Sequence, residues 1–281
     1  MRLGIFARTF AGRDPSTVLQ AARVAGYATV QYNFACSGLQ SMPEFVPDEI
    51  ANAVRIASAD SDMTIAAVSA TYNMIHPNPE VRRRGLVGLR AIARAAPAIG
   101  TRLLTLCTGT RDSEDPWRKH PDNVTPAAWH DLVESLNAAL DIAEEYEIDL
   151  GIEPEVANVI DSAVRARRLI DELQSARLKI VLDPANLFES GSRSTTRACV
   201  SQACDLLADR IVMGHAKDRY ADGRFATAGK GVLDYPHYIK CLRSIGFTGP
   251  LVTHGLRAEE APEVAAFLHS VIREVGDGVM A

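Results

Sequence analysis

Four apolar segments in the second half of the chain each end in side chains that could bind a metal ion. The segment ends are GIEPE (151–155), VLDPAN (181–186), VMGHAKD (212–218) and LVTHGL (251–256). The candidate ligands in them are Glu153, Asp183, His215 and His254. Carboxylate oxygens and imidazole nitrogens that converge on one point suit a divalent cation. A single Glu or His at a strand end is usually a solvated terminus or a helix cap, so the prediction rests on four of them occurring together.

These segments belong to a pattern of eight short apolar runs that alternate with longer helical stretches. The runs lie at 3–7, 29–33, 65–70, 103–107, 149–153, 179–183, 210–215 and 251–254. Their apolar character is continuous rather than alternating, as expected for a parallel sheet covered on both faces. Eight such β–α units in 281 residues predict an α/β fold, a (β/α)8 TIM barrel, as a single domain over residues 1–281. The C-terminal strand ends of this fold form the active site, so the four candidate ligands would lie at one height.

Composition limits the class of protein. The net charge is −5, and no basic block is longer than residues 82–84, so we predict no nucleic-acid partner. No apolar run approaches the ~18 residues of a membrane span, and the N-terminus lacks the pattern of a signal peptide. The five cysteines form no C-x-x-C pair, which suits reduced thiols. These features predict a cytoplasmic protein without a membrane segment.

Several motifs resemble those of the xylose isomerase-like TIM barrel family, and the resemblance covers almost the whole chain. The motifs are IEPE (152–155), LDPAN (182–186), HAKD (215–218) and GKGVLD (229–234). The family holds sugar isomerases, tagatose-type ketose epimerases, inosose-processing enzymes and endonuclease IV-type enzymes. NMIHP (73–77) and CTGTRD (107–112) resemble a sugar-phosphate-isomerase-like branch. The resemblance implies a fold and a chemistry, but it does not define the substrate.

The resemblance also implies a ligand set, with Glu on strand five, Asp on strand six, His on strand seven and Glu on strand eight. Glu153, Asp183 and His215 match this pattern, whereas His254 stands where the family has a carboxylate. Asn186 also departs from the epimerases, which usually place a histidine there. The family's epimerases use two carboxylates on opposite faces of a ketose, and His254 removes one of them.

Three interpretations of His254 follow. As a fourth ligand it would leave Glu153 as the only strong base and make the site with its dication about neutral. We favour this interpretation, with manganese as the expected metal and zinc, cobalt, iron or magnesium as alternatives. His254 could instead be unligated and act as an acid or base near neutral pH, or it could cap the next helix.

Further polar residues are candidates for contacts with a substrate. Lys217 lies two residues after His215, on the same side of the strand, and could hold a substrate oxygen during catalysis or pair with Glu155. The candidate substrate-binding residues are Asn73, His76, Arg111, His120, Glu155 and Asn186. A turn at 73–77 and a surface position in the long loop 109–125 are the structural alternatives for the first four. The GKG sequence at 229–231 lacks the spacing of a P-loop and predicts a tight turn.

The function we predict is a divalent-metal-dependent isomerase or epimerase of a small sugar or keto-sugar, acting by proton abstraction next to a carbonyl. Glu153, His254 and Lys217 are its candidate catalytic residues. The alternatives are a metal-dependent lyase acting on an oxidised sugar derivative and a non-catalytic sugar-binding barrel. The expected partner is a small-molecule sugar, and a homodimer is possible because barrels of this family often pair.

Overall fold

Eight parallel strands pair edge to edge and close a barrel in the structure, which is a computed structural model and describes residues 1–277. The strands are β1 (Leu3–Phe6), β2 (Thr29–Tyr32), β3 (Thr64–Ser69), β4 (Leu103–Cys107), β5 (Asp149–Glu153), β6 (Leu178–Leu182), β7 (Ile211–Ala216) and β8 (Leu251–Thr253). Strand β1 pairs with both β2 and β8, which closes the sheet. The predicted TIM barrel is confirmed over the described residues, and residues 278–281 of the expected domain lie outside them.

Eight helices follow the strands and cover the barrel. They are α1 (Pro15–Val24), α2 (Asp48–Asp60), α3 (Pro79–Ala95), α4 (Pro126–Glu145), α5 (Ala163–Leu173), α6 (Arg193–Leu207), α7 (Tyr235–Ser244) and α8 (Ala261–Asp277). Helices α1, α3 and α4 begin with a proline, which fits the first turn because its missing N–H has no partner there. No helix within residues 1–277 is long and apolar enough to span a membrane.

Strands β6 and β8 end one residue earlier than the sequence predicts. Asp183 follows β6 because its Oδ1 accepts the N–H of Ala185 at 2.9 Å and begins a 3-10 turn. His254 follows β8 and precedes Gly255, whose φ of +72° is a conformation that glycine adopts readily. The two side chains therefore stand at the rim of the barrel rather than within the hydrogen-bonded ladder.

A small apolar layer fills the barrel interior below this rim. Its buried members are Ala67, Val181, Met213 and Val252. Asp183, His215 and His254 each follow one member by two residues and therefore point to the same, inner face. At Gly151, two residues before Glu153, an added Cβ would lie 2.8 Å from Val181 Cγ2, so glycine leaves room for the layer. Strand alternation thus places all four candidate ligands directly above a layer of buried apolar side chains.

Candidate metal centre at the barrel mouth

The structure brings the four predicted ligands together at the C-terminal end of the barrel. Glu153, Asp183, His215 and His254 each offer one ligand atom, and these atoms all lie within 4.8 Å of one another. His215 Nδ1 is 3.3 Å from Glu153 Oε1, and His254 Nε2 is 2.8 Å from Asp183 Oδ2. The first three residues are buried, whereas the side chain of His254 is 21% exposed. Two carboxylates and two imidazoles in this arrangement could hold one divalent cation.

The tautomer of His215 fits a metal ligand. Its Nε2 lies 2.7 Å from Gln31 Oε1, and an amide oxygen can only accept, so Nε2 carries the proton. Gln31 Nε2 donates in turn to Thr105 Oγ1 at 2.8 Å. His215 Nδ1 is therefore left with its lone pair, and this buried atom has no hydrogen-bond partner within the described part of the chain. A buried acceptor of this kind, aimed at two carboxylates, is what a cation would satisfy.

His254 faces the same cluster and does not cap the next helix. Its ring centroid lies 4.5 Å from that of His215, at an interplanar angle of 53°. In the following 3-10 turn, Ala258–Glu260, the Glu260 carboxylate accepts the N–H of Arg257 at 2.9 Å, whereas His254 Nε2 contacts Asp183, so the geometry does not favour the capping interpretation of His254. Burial, reinforced by the neighbouring His215, lowers the pKa of His254. A neutral imidazole at neutral pH keeps a lone pair for a cation or a proton.

The two carboxylates are held ionised by neighbouring cations and donors. Burial raises the pKa of Glu153, but the positive charge that His215 carries when its Nδ1 is protonated outweighs it, and the pKa falls below its ordinary value. Burial likewise opposes ionisation of Asp183, yet Lys217 and the hydrogen bond from His254 hold the pKa of Asp183 well below its usual range. Lys217 Nζ stands 3.5 Å from Asp183 Oδ2. This buried ammonium adds one positive charge beside the two carboxylates. The protein charge around a bound dication is therefore less negative than the four ligands alone would give.

Asn186 links Lys217 to Glu153. Lys217 Nζ donates to Asn186 Oδ1 at 2.7 Å, and Asn186 Nδ2 donates to Glu153 Oε1 at 2.6 Å. The ammonium can only donate, so it fixes the orientation of the Asn186 amide. Glu153 Oε1 is thereby engaged by Asn186, and the unprotonated Nδ1 of His215 lies 3.3 Å from it. Its Oε2 has only a long 4.0 Å contact from Cys107 Sγ among the described residues, and is the oxygen free to act.

A cavity of about 410 Å³ opens above the cluster. It is lined by three of the four ligands, by Glu155, Asn186 and Lys217, and by aromatic residues at the mouth, Trp117 and Phe225. Burial raises the pKa of Glu155 to about 7, since Lys217 only partly offsets it. Lys217 Nζ lies 3.9 Å from the ring centroid of Phe225, which shields one side of the ammonium. Glu155, Asn186 and Lys217 all line this cavity, and their contact with a substrate stays a prediction that the geometry permits.

Four predicted substrate contacts lie outside this cavity. Arg111 Nη1 is 2.7 Å from Asp131 Oδ2 and 3.1 Å from the carbonyl oxygen of Ile75, so its charge holds the loop to helix α4. His120 Nδ1 accepts the N–H of Asp122 at 3.2 Å and caps a 3-10 turn. Neither side chain lines the central cavity, because Arg111 is paired with α4 and His120 is used within its own loop.

Asn73 and His76 line a neighbouring cavity and are also engaged locally. Asn73 Nδ2 donates to Thr110 O at 2.8 Å, and its Oδ1 accepts the N–H of Thr110 at 3.1 Å. His76 Nδ1 accepts the N–H of Asn78 at 3.0 Å. Neither residue lines the central cavity, and their contact with a substrate stays a prediction.

The GKG sequence forms the predicted tight turn around an internal anion. The carboxylate of Asp218 accepts the N–H groups of Gly229, Gly231 and Leu233 at 3.2, 3.0 and 3.1 Å. A phosphate would have to displace this buried carboxylate. Lys230 instead points outward to Glu263.

Sequence reasoning missed Gln31 and Thr105. Both are polar residues within strands that otherwise read as buried, at β2 and β4, and both face the barrel interior. A polar residue at a buried strand position was the signal in the sequence, because a buried polar side chain normally has a hydrogen-bond partner.

Comparisons with known proteins agree with the barrel fold. The family model described as xylose isomerase-like TIM barrel matches residues 19–273. The structure of 3-keto-D-glucoside 4-epimerase, YcjR, from E. coli superposes with a TM-score of 0.77 at 17% identity, covering 96% of this chain and 99% of that one. An L-ribulose 3-epimerase gives 0.77 at 15% identity, covering 99% and 97%. The IOLI protein with a bound zinc atom gives 0.72 at 15% identity, covering 98% and 99%. No curated protein matches the sequence significantly, and identities this low establish the fold alone.

Proposed function

Because the chain belongs to the xylose isomerase-like TIM barrel family, we propose that it is a divalent-metal-dependent isomerase or epimerase of a small sugar or keto-sugar. The observation that carries this proposal is the cluster of four ligand atoms within 4.8 Å below an open cavity. Similar structures named as sugar epimerases, including a D-psicose 3-epimerase determined with D-tagatose, support an enzyme of this kind. The step we propose is removal of a proton next to a carbonyl group.

Glu153, Asp183, His215 and His254 would hold the cation. We propose manganese, with zinc, cobalt, iron or magnesium as alternatives, because two imidazoles favour metals that accept nitrogen ligands. When bound, a divalent cation supplies Lewis-acid polarisation of a substrate oxygen. His254 acts as a ligand in this proposal: its Nε2–H donates to Asp183 Oδ2 at 2.8 Å, and a cation held by both residues would take the place of that proton.

Glu153 is the proposed base. Its lowered pKa keeps it ionised at neutral pH, and its Oε2 is the oxygen that Asn186 leaves unoccupied. Lys217 and Glu155 face the same cavity and would contact substrate oxygens. Because the strand-eight carboxylate of the family is absent, one carboxylate would move the proton on a single face of the substrate, which suits aldose–ketose isomerisation. Epimerisation would need a second proton donor on the opposite face.

Chelation followed by metal restoration tests the proposal. The protein is stripped with a chelator, dialysed, and offered ketohexoses, ketopentoses and 3-keto-glucosides in D₂O with and without Mn²⁺. We expect about one ion per chain and deuterium at a carbon next to the carbonyl only when metal is present. Equal exchange by metal-free protein would refute the mechanism. A Glu153→Gln variant with unchanged exchange would refute Glu153 as the base.

Among residues 1–277, no specific contact favours the lyase or the non-catalytic alternative. A homodimer and a cytoplasmic location stay predictions. Sedimentation of the purified protein would test the first of these directly.

A further inference from the structure

A second cavity of about 410 Å³ lies beside the metal centre and has no role in the proposed step. It forms between the start of helix α3 and the loop after β4. Thr71, Cys107 and Trp117 line both cavities, so the two spaces adjoin across these three side chains. Each cavity falls within the ~300–1,000 Å³ usual for small-ligand sites. Together they offer room for a substrate larger than one sugar ring.

The free surface of this side cavity is largely apolar. Its nonpolar walls come from Tyr72, Val81, Pro116 and Trp117. Trp117 is 57% exposed, which leaves indole surface available to a ligand. Exposed surface on a large aromatic side chain at the edge of a cavity indicates a possible ligand contact, whereas a single scattered apolar residue on the surface does not.

The carboxylate, amide and imidazole groups of the side cavity are already engaged, whereas Tyr72 Oη is buried without a hydrogen-bond partner among the described residues. Asp112 and Glu114 both pair with Arg118, at 2.5 and 3.0 Å. Asn73 bonds to the backbone of Thr110 through both ends of its amide, and His76 Nε2 lies 3.2 Å from Ser113 O.

Within the described part of the chain, no lysine or arginine lines the side cavity. A phosphate would find no charged donor there. A flat, mostly apolar group would find a surface that demands few new hydrogen bonds.

We propose that the side cavity is an aglycone subsite, and that the substrate is a glycoside whose reacting sugar lies at the metal centre. The aglycone would be an aromatic or other largely apolar ring that packs against Trp117 and Val81. This inference rests on the proposed function for the position of the reacting sugar. It names a glycoside, rather than a free or phosphorylated monosaccharide, as the substrate class.

Binding of simple glycosides tests the subsite without turnover. Calorimetry on the Mn²⁺-supplied protein would compare phenyl and methyl glucosides, each as both anomers. We expect one phenyl anomer to bind at least about tenfold more tightly than its methyl counterpart, because an aromatic ring leaves water. Equal affinities for phenyl and methyl in both anomers would overturn the proposal.

Two valines of helix α3 provide a matched pair of variants. Val81→Trp fills the side cavity and should reduce the phenyl preference to about twofold or less. Val87→Trp places the same side chain on the same helix at a position that is 37% exposed, and should retain the preference. A preference that survives Val81→Trp would contradict the subsite. If that variant melts well below the wild type, Trp117→Ala in the exposed loop decides, and it should also lose the preference.

Failure of the proposed function would look different. If no keto-sugar exchanges deuterium while the phenyl preference and its loss in Val81→Trp hold, the reaction is wrong and the subsite stands. If free keto-sugars exchange but phenyl and methyl glucosides bind equally, the reaction stands and the subsite is wrong.

Discussion

Whether the imidazole of His215 can bind a cation depends on the proton at its other nitrogen. Gln31 Oε1 accepts from Nε2 at 2.7 Å and leaves the lone pair on Nδ1 aimed at the cluster. Asn186 performs a related task for Glu153, because it occupies Oε1 and leaves Oε2 open. At the scale of single residues, the ligands are thus oriented by neutral amides, one on β2 and one after β6.

Replacing Gln31 should weaken metal binding without removing a ligand. In Gln31→Leu the Nε2–H of His215 loses its acceptor, and the ring can exchange tautomers. We expect the dissociation constant for Mn²⁺ to rise by about tenfold to hundredfold, measured against a competing chelator. Gln20→Leu, at an exposed position of α1, is the control and should bind as the wild type does. Unchanged affinity in Gln31→Leu would show that the tautomer does not matter.

Restoring the family's carboxylate at position 254 should change metal preference. His254→Glu replaces a nitrogen donor by a harder, anionic oxygen donor in a cluster that contains Asp183 and Glu153. We expect the ratio of Mg²⁺ affinity to Zn²⁺ affinity to rise by at least about tenfold. Paired titrations of the metal-free protein measure this ratio. His254→Ala removes the donor altogether and should weaken both metals, and an unaltered ratio in His254→Glu would argue that position 254 is not a ligand.

At the scale of elements, the turn after β7 depends on one buried side chain. Asp218 is fully buried, and its carboxylate collects backbone N–H groups of the turn that carries GKG. Gly231 packs so closely that an added Cβ would lie 2.2 Å from Asp218 Oδ1. The turn thereby holds the segment beside Lys217, whose carbonyl oxygen accepts from Tyr235 Oη at 3.0 Å.

Removing the Asp218 carboxylate should therefore destabilise the whole barrel. Asp218→Ala leaves the buried N–H groups of Arg219 and Leu233 and the partly buried ones of the GKG turn without their acceptor, and we expect a loss of about 3 kcal/mol in the free energy of unfolding. Urea denaturation followed by circular dichroism measures it. Lys230→Ala, within the same turn but exposed, should change stability little. A loss below about 1 kcal/mol in Asp218→Ala would mean that water replaces the carboxylate.

At the scale of the whole molecule, Asp131 ties three parts of the outer shell together. Its Oδ2 on α4 pairs with Arg82 of α3 at 2.5 Å and with Arg111 of the long loop at 2.7 Å. Burial raises the pKa of Asp131, but the two arginines outweigh it and the pKa lies below its ordinary value. The residue is 23% exposed, so solvent screens these pairs only in part.

This network should add to stability above the pKa of the unfolded aspartate, ~3.9, and be lost as pH falls through the lower folded pKa. We expect Asp131→Asn to cost about 1 kcal/mol at pH 7 and to differ less and less from the wild type below pH ~4. Urea unfolding at both pH values measures this. Asp62→Asn, at an exposed pair with Arg23, is the control and should be neutral. A cost for Asp131→Asn that persists unchanged at low pH would exclude the ionic origin.

The barrel and its four candidate ligands could be read from the sequence because both depend on local pattern. Continuous apolar runs that end in Glu153, Asp183, His215 and His254 indicate the strand ends, and strand alternation brings those ends to one face. The turn at 229–231 followed from the spacing of its glycines. None of this required knowledge of which side chains meet across the barrel.

Only the tertiary structure decided how the site is supported and how far it extends. Gln31 meets His215 across 184 positions of the chain, and the Lys217–Asn186–Glu153 contacts join three strand ends. Arg111 pairs with Asp131 rather than facing the central cavity, because packing of the long loop against α4 brings this carboxylate within reach of its guanidinium. The side cavity is likewise a gap between helix α3 and the loop after β4, so it depends on how these two elements pack. Periodicity reports which face a side chain takes, whereas its partners are set by the packing of elements that are distant in sequence.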